Sequence, residues 1–102
     1  MHIISRSKLV KFVADDPRFT DAEAPLDRWY RTTKRAGWRN FAELKTDFRT
    51  ADRYRNLTIF DIKGNTYRLI AEVLYHNQTV LVREVLTHRD YDRGLWKTRW
   101  AS

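Results

Sequence analysis

Two hydrophobic rhythms divide the chain. In its first half apolar residues recur at helical spacing: Leu9, Phe12 and Val13, then Leu26, Trp29, Tyr30, Thr33 and Ala36. The first set predicts a helix over Lys8 to Ala14, preceded by a short strand at His2-Ile3-Ile4, with Ser5 as a candidate N-cap and Asp15-Asp16-Pro17 as its stop. The second predicts a helix that begins within Asp21 to Ala24. Thr20 with Glu23 reads as a capping box, Pro25 is tolerable only near a first turn, and Gly37 terminates the pattern. Asn40 with Glu43 predicts another cap, before a short helix through Leu44 toward Phe48. Residues 49–56 are charged and poor in apolar side chains, so they are expected to form a loop.

From residue 57 onward the rhythm becomes alternation. Gly64-Asn65, and more weakly Asn77-Gln78, are turn signals between β-prone runs, so residues 57–62, 66–76 and 79–88 are expected to form an antiparallel meander. A two-residue first turn places Asp61 opposite Arg68 and Phe60 opposite Leu69. A second turn that pairs His76 with Thr79 places Glu72 opposite Arg83 and Tyr67 opposite His88. One face then carries Phe60, Ile62, Tyr67, Leu69, Ala71, Val73, Val82 and Leu86, with Glu84 its one misfit and His88 nominally on the same side. A bulge near Thr87 is needed to bring His88 to the other side. That second face mixes Asp61, Lys63, Arg68, Glu72 and Arg83 with aliphatic residues, as a solvent-reachable concavity does. The Trp96 to Trp100 tail has no readable place. The order of elements gives an α+β fold, a single domain over residues 1–102 with N-terminal helices on one face of an antiparallel sheet.

Composition narrows the chemistry. Twenty Lys and Arg against thirteen Asp and Glu give a formal charge of +7, a field that attracts polyanions. Basic residues adjoin aromatics at Trp29-Tyr30-Arg31, Trp38-Arg39, Tyr54-Arg55, Tyr67-Arg68 and Trp96-Lys97, which favours RNA, although Trp29 and Tyr67 read as core. No cysteine is present, which removes disulfides, thiolate nucleophiles and zinc-thiolate sites and suits a reducing cytoplasm. Arg6, Lys8 and Lys11 interrupt any N-terminal apolar segment, so no membrane association is expected. There is no glycine-rich phosphate loop, no nucleophile elbow and no metalloprotease helix. His88-x-Asp90-x-Asp92 lacks the fourth ligand of a metal site, so no cofactor is expected.

Metal-free RNA cleavage needs a base for the 2′-hydroxyl, charge against the phosphorane and an acid for the 5′-oxygen. Lys63, Arg68, Arg83 and His88 gather at one end of the expected sheet, with Tyr91 just beyond. Arginine suits phosphate oxygens and histidine suits proton transfer near neutrality, whereas Tyr91 needs neighbouring cations to act as a base and stacks on a nucleobase equally well. Each residue also has a plain structural reading. Arg68 pairs with Asp61 and Arg83 with Glu72 as cross-strand ion pairs, His88 ends a strand, and Lys63 is a solvated turn residue.

The ordered set Ile62-Lys63-Gly64-Asn65-Thr66-Tyr67-Arg68-Leu69-Ile70, Val85-Leu86-Thr87-His88 and Tyr91-Asp92, with Trp38, Asn40 to Leu44 and Ala51-Asp52 upstream, resembles HigB-type toxins of bacterial toxin-antitoxin modules, within the RelE superfamily of messenger-RNA endonucleases. Asp61 departs from the pattern, since the resemblance leads one to expect Asn there in many relatives. The resemblance implies a RelE-like fold and a toxin that cleaves mRNA in the ribosomal A site, silenced by a HigA-type helix-turn-helix antitoxin from a neighbouring reading frame. It implies catalytic roles for Lys63, Arg68, His88 and, with looser spacing, Tyr91; beside these, Arg83, Arg89, Arg93 and Lys97 are expected to contact RNA. Two other readings stand beside it: a non-catalytic RNA- or ribosome-binding module, and an interaction protein for an acidic partner.

Overall fold

The computed structural model describes residues 1–102. Five strands form one sheet, β1 (His2–Ile4), β2 (Asp52–Tyr54), β3 (Leu57–Ile62), β4 (Tyr67–Leu74) and β5 (Thr79–Thr87), in the spatial order β1-β5-β4-β3-β2. β1 lies parallel to β5, and all other pairings are antiparallel. The helices are α1 (Ser7–Asp15), α2 (Glu23–Arg35), α3 (Phe41–Asp47), α4 (His88–Arg93) and α5 (Leu95–Trp100), with a 3-10 turn over Pro17–Ala22 before α2. This is the expected α+β, RelE-like architecture. No helix is long and apolar enough to cross a membrane.

The helical stripes bury the residues that the periodicity selects. Leu9 of α1, Leu26 and Trp29 of α2 and Leu44 of α3 pack against Phe60, Ile62, Tyr67, Leu69, Ala71, Val80 and Val82 on one sheet face. Asn40 caps α3, its Oδ1 accepting from the Glu43 N–H at 2.9 Å. Two expected caps do not form. Ser5 has φ 72° and lies one residue before the Arg6 cap position, and the Thr20 hydroxyl donates instead to the Pro17 carbonyl at 2.7 Å, inside the 3-10 turn that leads into α2. The expected loop over residues 49–56 contains β2. Tyr54 pairs with Leu57 across Arg55-Asn56, and Arg55 takes φ 55°, so a two-residue hairpin built without glycine escaped composition.

The first meander turn behaves as its sequence demands. Lys63 and Gly64 have φ 54° and 63°, Thr66 N–H closes on the Lys63 carbonyl at 3.1 Å, and Asp61 faces Arg68. The second hairpin corrects the expected register. Its turn spans Tyr75 to Gln78, closed by the Gln78 N–H on the Tyr75 carbonyl at 3.2 Å, and is centred on His76-Asn77 rather than Asn77-Gln78, so Leu74 rather than His76 pairs with Thr79. A shift of two leaves each side chain on its face, and Val80 and Val82 stay with the helices. The register then shifts once more between Ile70 and Ala71, which pair with Glu84 and Val82 and leave Arg83 as the extra residue of a bulge. That single insertion inverts the alternation. Val85 turns into the helical core, while Glu84 and Leu86 face the other way, which removes the misfit at Glu84.

The second sheet face is not an open concavity. Leu57, Ile59, Ile70 and Leu86 there are covered by Trp96 of α5, with Tyr54, Tyr91 and Trp100 around them. The tail that had no readable place is therefore the lid of a second, smaller core. Asn56 anchors it, its amide donating to the Trp100 carbonyl at 3.4 Å and its oxygen accepting from Ser102 N–H at 2.7 Å.

Candidate RNA-binding and catalytic site

Arg68 is the centre of the second face. β-alternation sends it away from Tyr67, and the β3–β4 register sets it against Asp61, whose Oδ1 lies 3.0 Å from the guanidinium Nε. Its Nη1 donates to the carbonyls of Asn65 at 2.8 Å and Tyr67 at 3.3 Å, and its Cζ sits 4.9 Å from the centroid of the Tyr91 ring. Only 11% of the side chain is exposed, and Nη2 makes no hydrogen bond to the protein. The cation is thus held from several sides with one amino group left for an anion. A guanidinium keeps its charge under such burial, where an amine gives up its proton readily.

Tyr91 arrives on α4, and local sequence explains why a helix starts there. The Thr87 hydroxyl accepts from the Asp90 N–H at 3.1 Å, and Gly94 ends the helix with φ 77°. The His88 N–H donates to the Thr66 carbonyl at 3.1 Å and docks the helix on the first meander hairpin. The Tyr91 ring stacks on Trp96 at 5.3 Å and 9°, and Trp96 Nε1 donates to the Tyr91 carbonyl at 3.0 Å. Burial pushes the Tyr91 hydroxyl above its usual value of 10.0, with Arg68 pulling in the opposite direction, so the phenol is a proton donor at neutral pH.

His88 is the first residue of α4 and half exposed, its Nε2 3.2 Å from Asp92 Oδ2. The bulge expected near Thr87 forms upstream instead, at Arg83; the alternation it inverts already puts position 88 on the side of Glu84 and Leu86, where β5 ends and α4 begins. Arg89 is exposed on the same helix without an ionic partner, and Arg93 lies 4.0 Å from Asp90. Lys97 rests its ammonium 4.9 Å from the Tyr54 ring centroid and 5.6 Å from that of Trp96, and Tyr54 meets Trp96 edge-on.

Two sequence candidates stand apart from this group. Lys63 bends to the helical side of the hairpin and forms an ion pair with Asp21, which also accepts from the Tyr67 hydroxyl. The Lys63 ammonium, and after it the Tyr67 hydroxyl, hold the Asp21 carboxyl below its usual 3.8. Arg83 pairs with Glu72 at 3.1 Å and lies 5.7 Å from the Trp100 ring. Asp61, a departure from the family pattern that the register sets opposite Arg68, forms the expected cross-strand ion pair and orients the guanidinium. The support given by Trp96 and Tyr54 was missed. The Thr87-x-x-Asp90 cap and Gly94 were the local signals that could have revealed α4 and led to it.

The chain matches, over residues 22–94, the family described as HigB_toxin, the RelE-like toxic component of a toxin-antitoxin system. It is 28% identical over 95 residues to the mRNA interferase toxin HigB of Escherichia coli K12, covering 90% of this chain and 88% of the relative. It is 32% identical over 96 residues to the mRNA interferase HigB of Escherichia coli O6:H1, covering 91% and 90%.

Proposed function

We propose that this chain, which belongs to the HigB family of RelE-like toxins of toxin-antitoxin systems, is an mRNA endonuclease that acts on ribosome-bound message in the cytoplasm and needs no metal. The observation that carries this reading is the Arg68 guanidinium, nearly buried and braced by Asp61 and Tyr91 yet free at Nη2. A fixed cation in a partly dry site lowers the energy of a phosphorane without reorganising as charge develops. The names of the relatives, mRNA interferases, supply the substrate class.

The residues divide the reaction as follows. His88 takes the proton of the 2′-hydroxyl, whose oxygen attacks the adjacent phosphorus. Arg68 holds the equatorial oxygens of the phosphorane. The P–O5′ bond breaks, the Tyr91 hydroxyl gives its proton to the departing oxygen, and a 2′,3′-cyclic phosphate remains. Arg89, Arg93 and Lys97 line the approach and bind flanking phosphates, while Arg83 serves the strand pair with Glu72. Lys63 reaches RNA only if it leaves Asp21.

Incubation with translating ribosomes and mapping of the RNA ends tests the proposal. Cleavage of ribosome-bound mRNA, with 2′,3′-cyclic or 3′-phosphate ends and a rate on naked RNA far lower, is expected. His88→Ala slows the reaction by about 10²-fold and flattens its pH dependence around neutrality. Ends carrying a 3′-hydroxyl, or full activity in His88→Ala, sink the mechanism. An antitoxin partner follows from the family, and a HigA-type helix-turn-helix protein is the proposed one.

A further inference from the structure

The turn between β3 and β4 holds two members of the candidate site by its backbone. The Asn65 carbonyl accepts from Arg68 Nη1 at 2.8 Å, and the Thr66 carbonyl accepts from the His88 N–H at 3.1 Å. One peptide segment thus aims the guanidinium and seats the first residue of α4. The turn itself has little to rest on. A Cβ placed on Gly64 would meet no atom within 4 Å, and Lys63 before it takes φ 54°. A lysine adopts that left-handed conformation at a cost, and it persists where other contacts hold it.

The hold comes from the helical side. The Lys63 ammonium pairs there with one carboxylate oxygen of Asp21. Asp21 belongs to the 3-10 turn over Pro17–Ala22 and adjoins Ala22, which is fully buried, so its place is set by the core and not by the hairpin. Its other oxygen accepts from the Tyr67 hydroxyl, a bond within the helical face that does not reach the turn. The side chains of Asp21 and Lys63 are 43% and 48% exposed, and an ion pair so open adds little to stability. What it supplies is a fixed point for the turn.

We propose that Asp21 is a positioning residue for RNA cleavage: by anchoring Lys63 it fixes the turn whose carbonyls orient Arg68 and seat His88. This role rests on the cleavage reading, since Arg68 and His88 are the groups being positioned. Lys63 then serves the reaction from the far side of the sheet, through its backbone neighbours, without touching RNA.

Steady-state cleavage of ribosome-bound mRNA by the full chain provides the test, with urea midpoints to show that each variant is folded. Asp21→Ala is expected to lower kcat about tenfold and to leave KM within about twofold of the parent, because substrate contacts remain while the acting groups lose their aim. Lys63→Ala has the same effect, and the double variant is no slower than either, because both remove one interaction. Asp21→Lys combined with Lys63→Asp restores the ion pair in reverse and recovers most of kcat. In ¹⁵N spectra Asp21→Ala shifts the amide signals of Asn65, Thr66 and His88. The proposal is overturned if those signals stay in place, if only KM changes, or if the exchanged pair stays as slow as the single variants. It is overturned too if Asp21→Ala cleaves at the parent rate or faster while Lys63→Ala is slow, the result expected of a lysine that binds RNA directly. Absence of cleavage in the parent, or full activity in Arg68→Ala, defeats the cleavage reading and this role with it, whereas an indifferent Asp21→Ala in an active parent defeats the role alone.

Discussion

The two faces of the sheet are built from alternate residues of the same strands, and they do different things. On the face covered by α1, α2 and α3, fifteen buried residues form one continuous core, with Phe60 edge-on to both Trp29 and Phe48 at 5.4 and 5.0 Å. On the other, only four buried residues of the sheet, Leu57, Ile59, Ile70 and Leu86, lie under Trp96 of the single short helix α5. So small a cover leaves charged residues at its margin, and each is tied to a partner: Arg68 to Asp61, Arg83 to Glu72, and Arg99 to Glu84 at 2.8 Å. A complete cover gives stability. A partial one gives cations that are oriented and half-dehydrated, and an anionic substrate can use them.

Breaking the first face should have the largest effect. Phe60→Ala removes a fully buried ring between two others and is expected to cost about 3–5 kcal/mol in urea unfolding, a large share of the stability of a small protein. A loss below about 1 kcal/mol would contradict the assignment of stability to this face.

Breaking the second face at its centre should read out in rate. Arg68→Ala is expected to lower cleavage by about 10²–10³-fold while the protein stays folded. Part of its smaller stability cost is the Asp61 carboxylate left without a partner, so Asp61→Asn combined with Arg68→Ala should recover stability and not cleavage. Recovery of cleavage in the double variant would mean that Arg68 only neutralises Asp61.

The finest comparison is between neighbours, since Tyr67 and Arg68 are consecutive and face opposite sides. Tyr67→Phe loses the hydroxyl bond to Asp21 and should cost about 1 kcal/mol with cleavage unchanged. Burial, and then the Asp21 carboxylate, push the Tyr67 hydroxyl up to about 12 from 10.0. Because the folded value is raised, the stability linked to this group is full below pH 10.0 and drains as pH climbs toward about 12. Asp21 has the opposite sign: its depressed carboxyl contributes above 3.8 and loses that contribution as pH falls below it. Urea midpoints across the alkaline range should show a shallower decline in Tyr67→Phe than in the parent, and identical slopes would remove the bond's role.

What local chemistry governs was legible from the chain. Gly64 tolerates the left-handed turn between β3 and β4, that turn sets Asp61 against Arg68, and alternation then puts Tyr67 among the helices and Arg68 opposite them. The helical stripes of α1 and α2, and the Asn40 cap of α3, depend on residues within a turn or two of one another and were equally readable. The bulge at Arg83, the four-residue second turn, the lid formed by α5 and the diversion of Lys63 to Asp21 were settled only by the folded molecule. A bulge costs little where it occurs, and nothing near Arg83 demands one. It is favoured because beyond it Val85 enters the helical core, Leu86 meets Trp96 and Glu84 reaches Arg99 and Trp100, partners distant in sequence whose burial and charge no local pattern records.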